Sequence, residues 1–266
     1  MDINPVKRAL AERRASIGCW LTLASPANAE LLAHCGFDWL LVDQEHGPGG
    51  SDALLQQLRA IDAARGQGSR VGVIVRVAGH DPEQVKQAMD SGAPCLMFPT
   101  VDSAEQARHL AAAMRYPEGD NGGCRGIAGI VRAARYGLDS RYLAEANAQA
   151  ATIVQIETAR GVEQARAIAR VDGVDCLFIG PADLSFGLGH PGDLAHPRVR
   201  AAIDEVLAAA AEAGKACGIF AASADQAQQF RRAGFHLIGL HSDAAWLARG
   251  ARAALAEYRA EHRPGG

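Results

Sequence analysis

The sequence predicts an α/β protein whose residues 1–266 form one domain, a single (β/α)₈ or TIM barrel. Short apolar runs alternate with helical stretches along nearly the whole chain, and about eight such runs are present. Eight is the number of parallel strands that closes a sheet into a barrel with an interior filled by side chains. The length agrees, because single α/β barrels typically take about 250 residues.

The predicted strands are too short for helices and too continuously apolar for a sheet with one face in water. Parallel strands that are covered on both faces have this composition. In chain order they are 19–23, 39–42, 71–77, 95–99, 153–156, 176–179, 216–220 and 236–240. A doubly wound open sheet is the alternative, but the first strand-to-helix junction, 22–28, lacks a glycine-rich phosphate loop.

Helix-capping residues separate the strands at regular intervals. Ser25 and Asp81 each precede a proline, the arrangement of an N-cap followed by proline at the first helical position. Two pairs have the spacing of a capping box, namely Asp102 with Glu105 and Ser223 with Gln226. Five glycines follow helical stretches as left-handed C-caps would: Gly36, Gly92, Gly173, Gly214 and Gly234. Segment 117–140 is the long irregular connection, and such loops are often functional or mobile.

The composition argues against nucleic-acid and membrane partners. The net charge of −3 comes from 27 basic and 30 acidic residues that are dispersed along the chain, without a basic run. The apolar stretches fall far short of the roughly 20 residues that span a bilayer. The charged N-terminus lacks a signal-peptide core, so we expect a cytoplasmic protein. Six scattered cysteines show no metal-binding spacing, and we assign them no chemistry.

Polar residues collect where the predicted strands end. In barrels of this kind the catalytic groups come from the C-terminal strand ends and the loops that follow them. The residues at these positions are Asp43, Glu45, His46, Arg76, Gln155, Glu157 and Asp183. We therefore expect them to lie together at one mouth of the barrel.

Two of these carboxylates are candidate ligands for a metal. Alternation along the fifth strand puts Gln155 and Glu157 on the same side, and a carboxylate there needs a cation partner. Asp183, after the next strand, is the natural second ligand, and such a pair suits Mg²⁺ or Mn²⁺. A salt bridge from Glu157 to Arg76 is the structural alternative. The turn at Asp183 could also offer the N–H groups of Ala182 and Asp183 to an anion, although by itself the motif is better explained as a simple tight turn.

Arg76 and His46 are candidates for substrate contact and proton transfer. Arg76 interrupts a buried strand, and its planar fork suits a carboxylate or an oxyanion; a structural pair with Glu45 or Glu157 is the alternative. His46 lies next to Asp43 and Glu45, which could hold its tautomer and make it a general acid or base. A purely structural histidine is equally compatible with the pattern.

Several segments together resemble a known family, the HpcH/HpaI class II aldolases, which include hydroxy-oxo-heptanedioate aldolase and 2-dehydro-3-deoxy-sugar-acid aldolases. The segments follow one another in family order over nearly the whole chain. They are 18–21 (GCWL), 36–46 (GFDWLLVDQEH), 75–77 (VRV), 155–158 (QIET) and 179–185 (IGPADLS).

The resemblance implies reversible cleavage of 4-hydroxy-2-oxo acids to pyruvate and an aldehyde, with a divalent metal such as Mg²⁺, Mn²⁺ or Co²⁺. The implied roles are metal binding by Glu157 and Asp183, substrate contact by Trp20, Arg76, Gln155, Ala182 and Asp183, and proton transfer by His46, oriented by Asp43. Asp90 matches a residue that reaches a neighbouring subunit's site, and the family forms homo-oligomers, typically hexamers. No lysine lies at a strand's C-terminal end, so the sequence agrees with a metal-dependent rather than an imine mechanism.

Other functions fit the same barrel. An acyl-CoA lyase of the citrate-lyase or malyl-CoA type, or an oxo-acid decarboxylase, would keep the metal, while a non-catalytic metabolite-binding barrel would not need the full residue set. The chain also departs from its relatives in segment 116–126, which is longer here and borders the active site in those relatives. The sequence therefore leaves the identity of the aldehyde open. At the last strand we favour Ser242 as a helix cap over a substrate-facing role.

Overall fold

The computed structural model describes residues 4–120 and 122–261. Eight parallel strands pair in chain order, and β8 pairs with β1 to close the barrel. The strands are β1 (Ser16–Leu21), β2 (Trp39–Asp43), β3 (Gly72–Arg76), β4 (Cys95–Phe98), β5 (Ala151–Ile156), β6 (Val174–Ile179), β7 (Ala216–Ala221) and β8 (Leu237–Ser242). The predicted barrel and all eight predicted strands are confirmed.

The strand boundaries differ most from the prediction at β1. This strand begins at Ser16, three residues before the predicted start, and ends at Leu21. Ser16 and Ile17 pair with Leu237 and Ile238 of β8. Ser16 and Ile17 belong to β1 because the barrel closes against β8. This long-range pairing cannot be inferred from the local apolar pattern.

Helices surround the barrel and connect its strands. They are α1 (Pro5–Ala11), α2 (Pro26–Ala33), α3 (Ser51–Gly66), α4 (Pro82–Asp90), α5 (Ala104–Ala113), the 3₁₀ helix η1 (Arg132–Gly137), α6 (Tyr142–Gln149), α7 (Ala159–Ala169), α8 (Pro181–Gly187), α9 (Pro197–Glu212), α10 (Ala224–Ala233) and α11 (Asp243–Glu261). None of the described helices combines the length and the apolar composition that a membrane crossing requires.

Most of the predicted caps are confirmed. Three side chains accept a backbone N–H of the following helix as expected, namely Ser25, Asp81 and Ser223. The capping box assigned to Asp102 and Glu105 is wrong by one residue. Ser103 caps α5 by accepting the N–H of Gln106, while Asp102 accepts a hydrogen bond from Thr158. The five predicted C-cap glycines all have φ between 68° and 102°.

Aromatic side chains fill the barrel interior beneath its mouth. Trp20 lies with its ring centroid 5.3–5.7 Å from those of Trp39, Phe178 and Phe220. Two glycines make room for the indoles, because a Cβ on Gly18 would lie 2.0 Å from the Trp39 ring and one on Gly239 would lie 2.2 Å from the Trp20 ring. The packed rings form a solid floor, so any site must lie above them at the C-terminal strand ends.

Candidate active site

A cavity of about 300 Å³ opens at the C-terminal ends of the strands. Seven of the residues singled out in the sequence line it, namely Trp20, Asp43, His46, Arg76, Gln155, Ala182 and Asp183. A larger cavity of about 710 Å³ lies elsewhere, between α1, α3, α4 and α6, and none of those seven residues lines it. The expectation that site residues follow the C-terminal ends of the strands, here called the strand-end rule, therefore identified residues that the fold brings together.

Arg76 is clamped between two carboxylates. Asp43 and Arg76 are direct partners in the β2–β3 register, and the guanidinium donates from Nε (2.9 Å) and Nη2 (2.7 Å) to the two oxygens of Asp43. Nη1 lies 2.9 Å from Glu45 Oε2. The suggested pairing with Glu45 is therefore confirmed, and Arg76 pairs with Asp43 rather than with Glu157. Three of its five N–H groups are used, which leaves two for a ligand.

The electrostatics of Arg76 follow from this clamp. Burial by itself would lower the pKa of the guanidinium, but the hydrogen bond to Asp43 and the nearby charges of Asp43, Glu45 and Glu157 raise it above its usual value. Arg76 is consequently a permanent cation whose planar fork is held in one orientation.

Asp43 fixes the loop that carries His46. Its Oδ1 accepts the backbone N–H groups of Glu45 (3.1 Å) and His46 (3.3 Å) in addition to Arg76 Nε. That Asp43 orients the imidazole ring stays a prediction: Asp43 holds the His46 backbone, and the acid beside the ring is Glu45, with Oε1 3.9 Å from His46 Nε2. The His46 side chain is 70% exposed at the mouth, so it is accessible to a substrate and to water.

Glu157 follows directly after β5 and is 6% exposed. Thr100 donates to its Oε1 from both the backbone N and Oγ1, at 2.8 Å each, and Gln155 Nε2 donates to its Oε2 at 2.9 Å. The predicted placement of Gln155 and Glu157 on one side is confirmed. Gly180 lies against this carboxylate, since a Cβ there would be 2.5 Å from Oε2.

Negative charge predominates at the mouth. Asp43, Glu45, Glu157 and Asp183 face a single arginine in this cluster. Burial raises the pKa of Glu157; the hydrogen bonds from Thr100 oppose this shift, and the charges of Asp183 and Glu45 add to it. Burial also raises the pKa of Glu45, although Arg76 opposes that shift. The carboxylates therefore interact unfavourably with one another unless a cation lies among them.

A divalent cation would fit these residues by charge and by donor type. Glu157 and Asp183 supply the carboxylate oxygens, and hard cations such as Mg²⁺ prefer oxygen ligands. Gln155 Oε1 is buried and has no hydrogen-bond partner among the residues described, which is costly for an acceptor. Within residues 4–120 and 122–261 no group of three or more His, Cys, Asp or Glu side chains is arranged to hold a metal. Two carboxylates would thus leave the other coordination positions to water and substrate.

A sequence model of the HpcH/HpaI aldolase/citrate lyase family matches residues 16–249. The chain belongs to this family. A hydroxypyruvate/pyruvate aldolase of Paraburkholderia phytofirmans is 49% identical over 257 residues, which cover 96% of this chain and 98% of the relative. A 4-hydroxy-2-oxo-heptane-1,7-dioate aldolase of Salmonella heidelberg is 41% identical over 264 residues, with coverage of 99% and 97%. A crystal structure of a family member from Burkholderia cenocepacia J2315 superposes with a TM-score of 0.93 at 47% identity, covering 96% of this chain and 99% of that one.

The resemblance seen in the sequence is thereby confirmed, and the chain is an aldolase, a carbon–carbon lyase.

In this aldolase the first turn of α8 carries Ala182 and Asp183 at the rim. Gly180 provides no side-chain cap for the helix, and Pro181 has no N–H to donate. No capping side chain therefore accepts the N–H groups of Ala182 and Asp183. A role of these groups in anion binding would require this.

Asp90 lies away from the mouth of its own barrel. It ends α4, on the side that leads into the start of β4, and pairs with Arg125 at 2.6 Å. Arg125 also donates to the Tyr142 hydroxyl at 3.0 Å. The long segment after α5, apart from Asn121, which lies outside the described residues, thus packs here through Arg125 rather than lining the cavity. A role of Asp90 in a neighbouring subunit's site stays a prediction.

The sequence did not reveal the role of Asp243, which is 4% exposed. Its Oδ1 accepts the N–H and hydroxyl of Thr22, at 2.8 and 2.9 Å, and its Oδ2 accepts from Asn28 Nδ2 at 3.2 Å. This carboxylate ties the loop after β1 to the end of β8. The predicted cap at Ser242 is confirmed, because Ser242 Oγ accepts the N–H of Ala245, and Ser242 also lines the cavity.

Proposed function

We propose that this aldolase makes and breaks the carbon–carbon bond between a pyruvate-type 2-oxo acid and an aldehyde, with Glu157 and Asp183 holding Mg²⁺, Mn²⁺ or Co²⁺. The observation that carries the proposal is the buried Glu157, which is hydrogen-bonded to Gln155 beside the cavity. The Oε1 of Gln155 is itself buried and has no hydrogen-bond partner within the part of the chain that the structure describes. The names of the relatives support pyruvate or hydroxypyruvate as the oxo acid, and 4-hydroxy-2-oxo acids as the compounds cleaved.

The cation, Arg76 and the first turn of α8 have separate roles in this scheme. A bound divalent cation would act as a Lewis acid toward the negative charge that develops when the oxo acid is enolised. Arg76 would direct its two remaining N–H groups at the oxo and carboxylate oxygens, and fixed donors of this kind need no reorganisation as charge develops. The N–H groups of Ala182 and Asp183 would hold the carboxylate.

Proton transfer is assigned to His46. Its ring is exposed at the mouth, where an aldehyde enters, and Glu45 Oε1 lies 3.9 Å from its Nε2. His46 would hold the proton that passes to and from the carbinol oxygen of the product. Trp20 closes the floor of the cavity and shields the oxo acid from water on that side.

The cavity favours a free oxo acid over an acyl-CoA thioester. Among the described residues that line it, Arg76 is the only lysine or arginine. That side chain is already neutralised by Asp43 and Glu45, so little positive charge remains for the phosphates of CoA. The volume of about 300 Å³ is at the lower end for ligand pockets, which suits a small acid.

We also propose that this aldolase is a cytoplasmic, single-domain protein and a homo-oligomer, a hexamer by family resemblance. The last helix, α11, supports this, because every residue from 249 to 260 is exposed. Three large apolar side chains of that helix are exposed at 47–65%, namely Leu247, Leu255 and Tyr258. An apolar helical face of this kind is typical of a protein–protein contact. Light scattering coupled to size-exclusion chromatography would give the subunit number.

The decisive experiment is retro-aldol cleavage of a panel of 4-hydroxy-2-oxo acids with a pyruvate-coupled readout. We expect EDTA to abolish pyruvate release and Mg²⁺, Mn²⁺ or Co²⁺ to restore it. Activity that is indifferent to EDTA but lost on borohydride treatment would contradict the proposal and establish an imine mechanism instead. The Glu157→Gln variant should lose metal-restored activity.

A further inference from the structure

Thr100, which follows β4 at the rim of the barrel, has an unusual backbone conformation. Its φ is +50°, in the left-handed region. Six non-glycine residues among those described have positive φ, and Thr100 is the only β-branched one. β-branched residues adopt this region rarely, because the branched side chain crowds the backbone there. Such an outlier persists only where the surrounding structure enforces it.

The neighbouring hydrogen bonds do enforce this conformation. The loop after β4 is attached to the end of β5 at three consecutive residues. Thr100 bonds Glu157, Val101 N donates to Gln155 O at 3.0 Å, and Thr158 Oγ1 donates to Asp102 at 2.5 Å. The loop therefore cannot relax the strained residue without giving up the contacts on either side of it.

The strained conformation directs two hydrogen-bond donors of Thr100 at one oxygen of Glu157. Both the N–H and the hydroxyl of Thr100 reach Glu157 Oε1 at 2.8 Å. A carboxylate oxygen has two lone pairs, so these bonds occupy Oε1 fully. On Oε2 one position is taken by Gln155 Nε2, which leaves a single acceptor position on the carboxylate. Gly180 lies against Oε2, and Asp183 follows it by three residues on α8.

We propose that Thr100 is a positioning residue of the metal site. Its two donors occupy Glu157 Oε1, and Thr100 so directs the cation to Oε2, on the side of Gly180. This inference rests on the proposed function, because it needs the cation at Glu157. Thr100 itself is exposed and packs into no part of the core. Its hydroxyl can thus be removed without opening a cavity, and the effect should appear at the metal rather than in the fold.

The test is Mn²⁺ binding to metal-free protein, followed by electron paramagnetic resonance or calorimetry. We expect Thr100→Val, which keeps the shape and removes the hydroxyl donor, to weaken Mn²⁺ binding by about 10-fold, the usual cost of losing a group that orients a metal ligand. Thr100→Ser restores the donor and should bind as the wild type does. Thr100→Gly also lacks the hydroxyl but adopts the left-handed region without strain, so it serves as the folded variant if the valine protein misfolds.

Ser103→Ala is the matched control. Ser103 lies in the same loop and caps α5, where its hydroxyl accepts the N–H of Gln106. Its loss should lower the melting temperature and leave Mn²⁺ affinity unchanged. Thr100→Val and Thr100→Gly proteins that bind Mn²⁺ as tightly as the wild type would overturn the inference, as would an equal weakening in Ser103→Ala. If the wild type does not bind Mn²⁺, or if Glu157→Gln binds it equally well, the proposed metal site itself fails, whatever the Thr100 variants do.

Discussion

The clamp on Arg76 gives a quantitative prediction for Asp43→Asn. The Asp43 side chain is fully buried, and both of its oxygens accept from Arg76. Asparagine keeps the shape and one acceptor, but it removes the charge and sets an NH₂ group against a guanidinium N–H. The substitution therefore leaves a cation with 10% exposure facing a donor instead of a carboxylate.

The loss of stability depends on the negative charge that still faces Arg76 in the variant. Removing one partner of a buried ion pair typically costs about 3–5 kcal/mol, because the other charge is left uncompensated. Arg76 retains Glu45 at 2.9 Å, but that side chain is 21% exposed and offsets only part of the loss. We therefore expect Asp43→Asn to lower the free energy of unfolding by about 2–4 kcal/mol.

Urea denaturation with linear extrapolation measures this difference directly. Glu45→Gln is the matched control, because it removes a charge from the same arginine at a more exposed position, and its loss should be clearly smaller. If Asp43→Asn loses less than about 0.5 kcal/mol, the value of an ordinary surface change, the clamp does not stabilise the fold. Equal losses in the two variants would also refute the ranking of the two carboxylates.

Three further predictions concern the carboxylate, the proton donor and the pH dependence. Gly180→Ala places a methyl group 2.5 Å from Glu157 Oε2, so it should weaken Mn²⁺ binding and pyruvate release while the circular-dichroism spectrum stays unchanged; full activity would show that the oxygen is not used. His46→Ala should lower kcat while calorimetry shows normal metal binding, and an unchanged kcat would remove His46 from the mechanism. Burial and the nearby Arg13 lower the pKa of His236, so the unfolded chain binds more protons below pH about 6.5 and this contribution to stability is lost as the pH falls toward the folded pKa. The wild type should therefore lose more stability than His236→Gln between pH about 7.5 and about 5.5 in urea titrations, and equal losses would contradict this reasoning.

The architecture could be predicted because it depends on a local property. Strands that are covered on both faces read as short apolar runs, and helix caps follow simple residue preferences. The errors arose where long-range contacts decide the outcome. Ser16 joins β1 only because the barrel closes against β8. Asp102 is not the cap of α5 because its carboxylate accepts a hydrogen bond from Thr158, on the loop after the neighbouring strand.

The site was predictable as a set of residues, but its pairs were predictable only in part. The strand-end rule places Asp43, His46 and Arg76 at one mouth, and the structure does so too. Which acid faces which base depends on the register between strands, and that register makes Asp43 and Arg76 direct partners. Once both oxygens of Asp43 are occupied by Arg76, Glu45 becomes the acid beside the His46 ring.

Backbone strain is the feature of the site that the sequence conceals most completely. A β-branched residue such as threonine would be expected in an extended conformation, yet Thr100 has φ of +50°. Ala24, in the loop three residues after β1, and His241, the penultimate residue of β8, share this sign of φ, so three strained residues lie around one mouth. At Thr100 the local preference is overridden by hydrogen bonds to the end of the neighbouring strand β5, which hold the residue in place. Local rules are expected to fail where a protein orients its reactive groups, and the concentration of strain at the C-terminal strand ends therefore supports this mouth as the active site, independently of the residue types that line it.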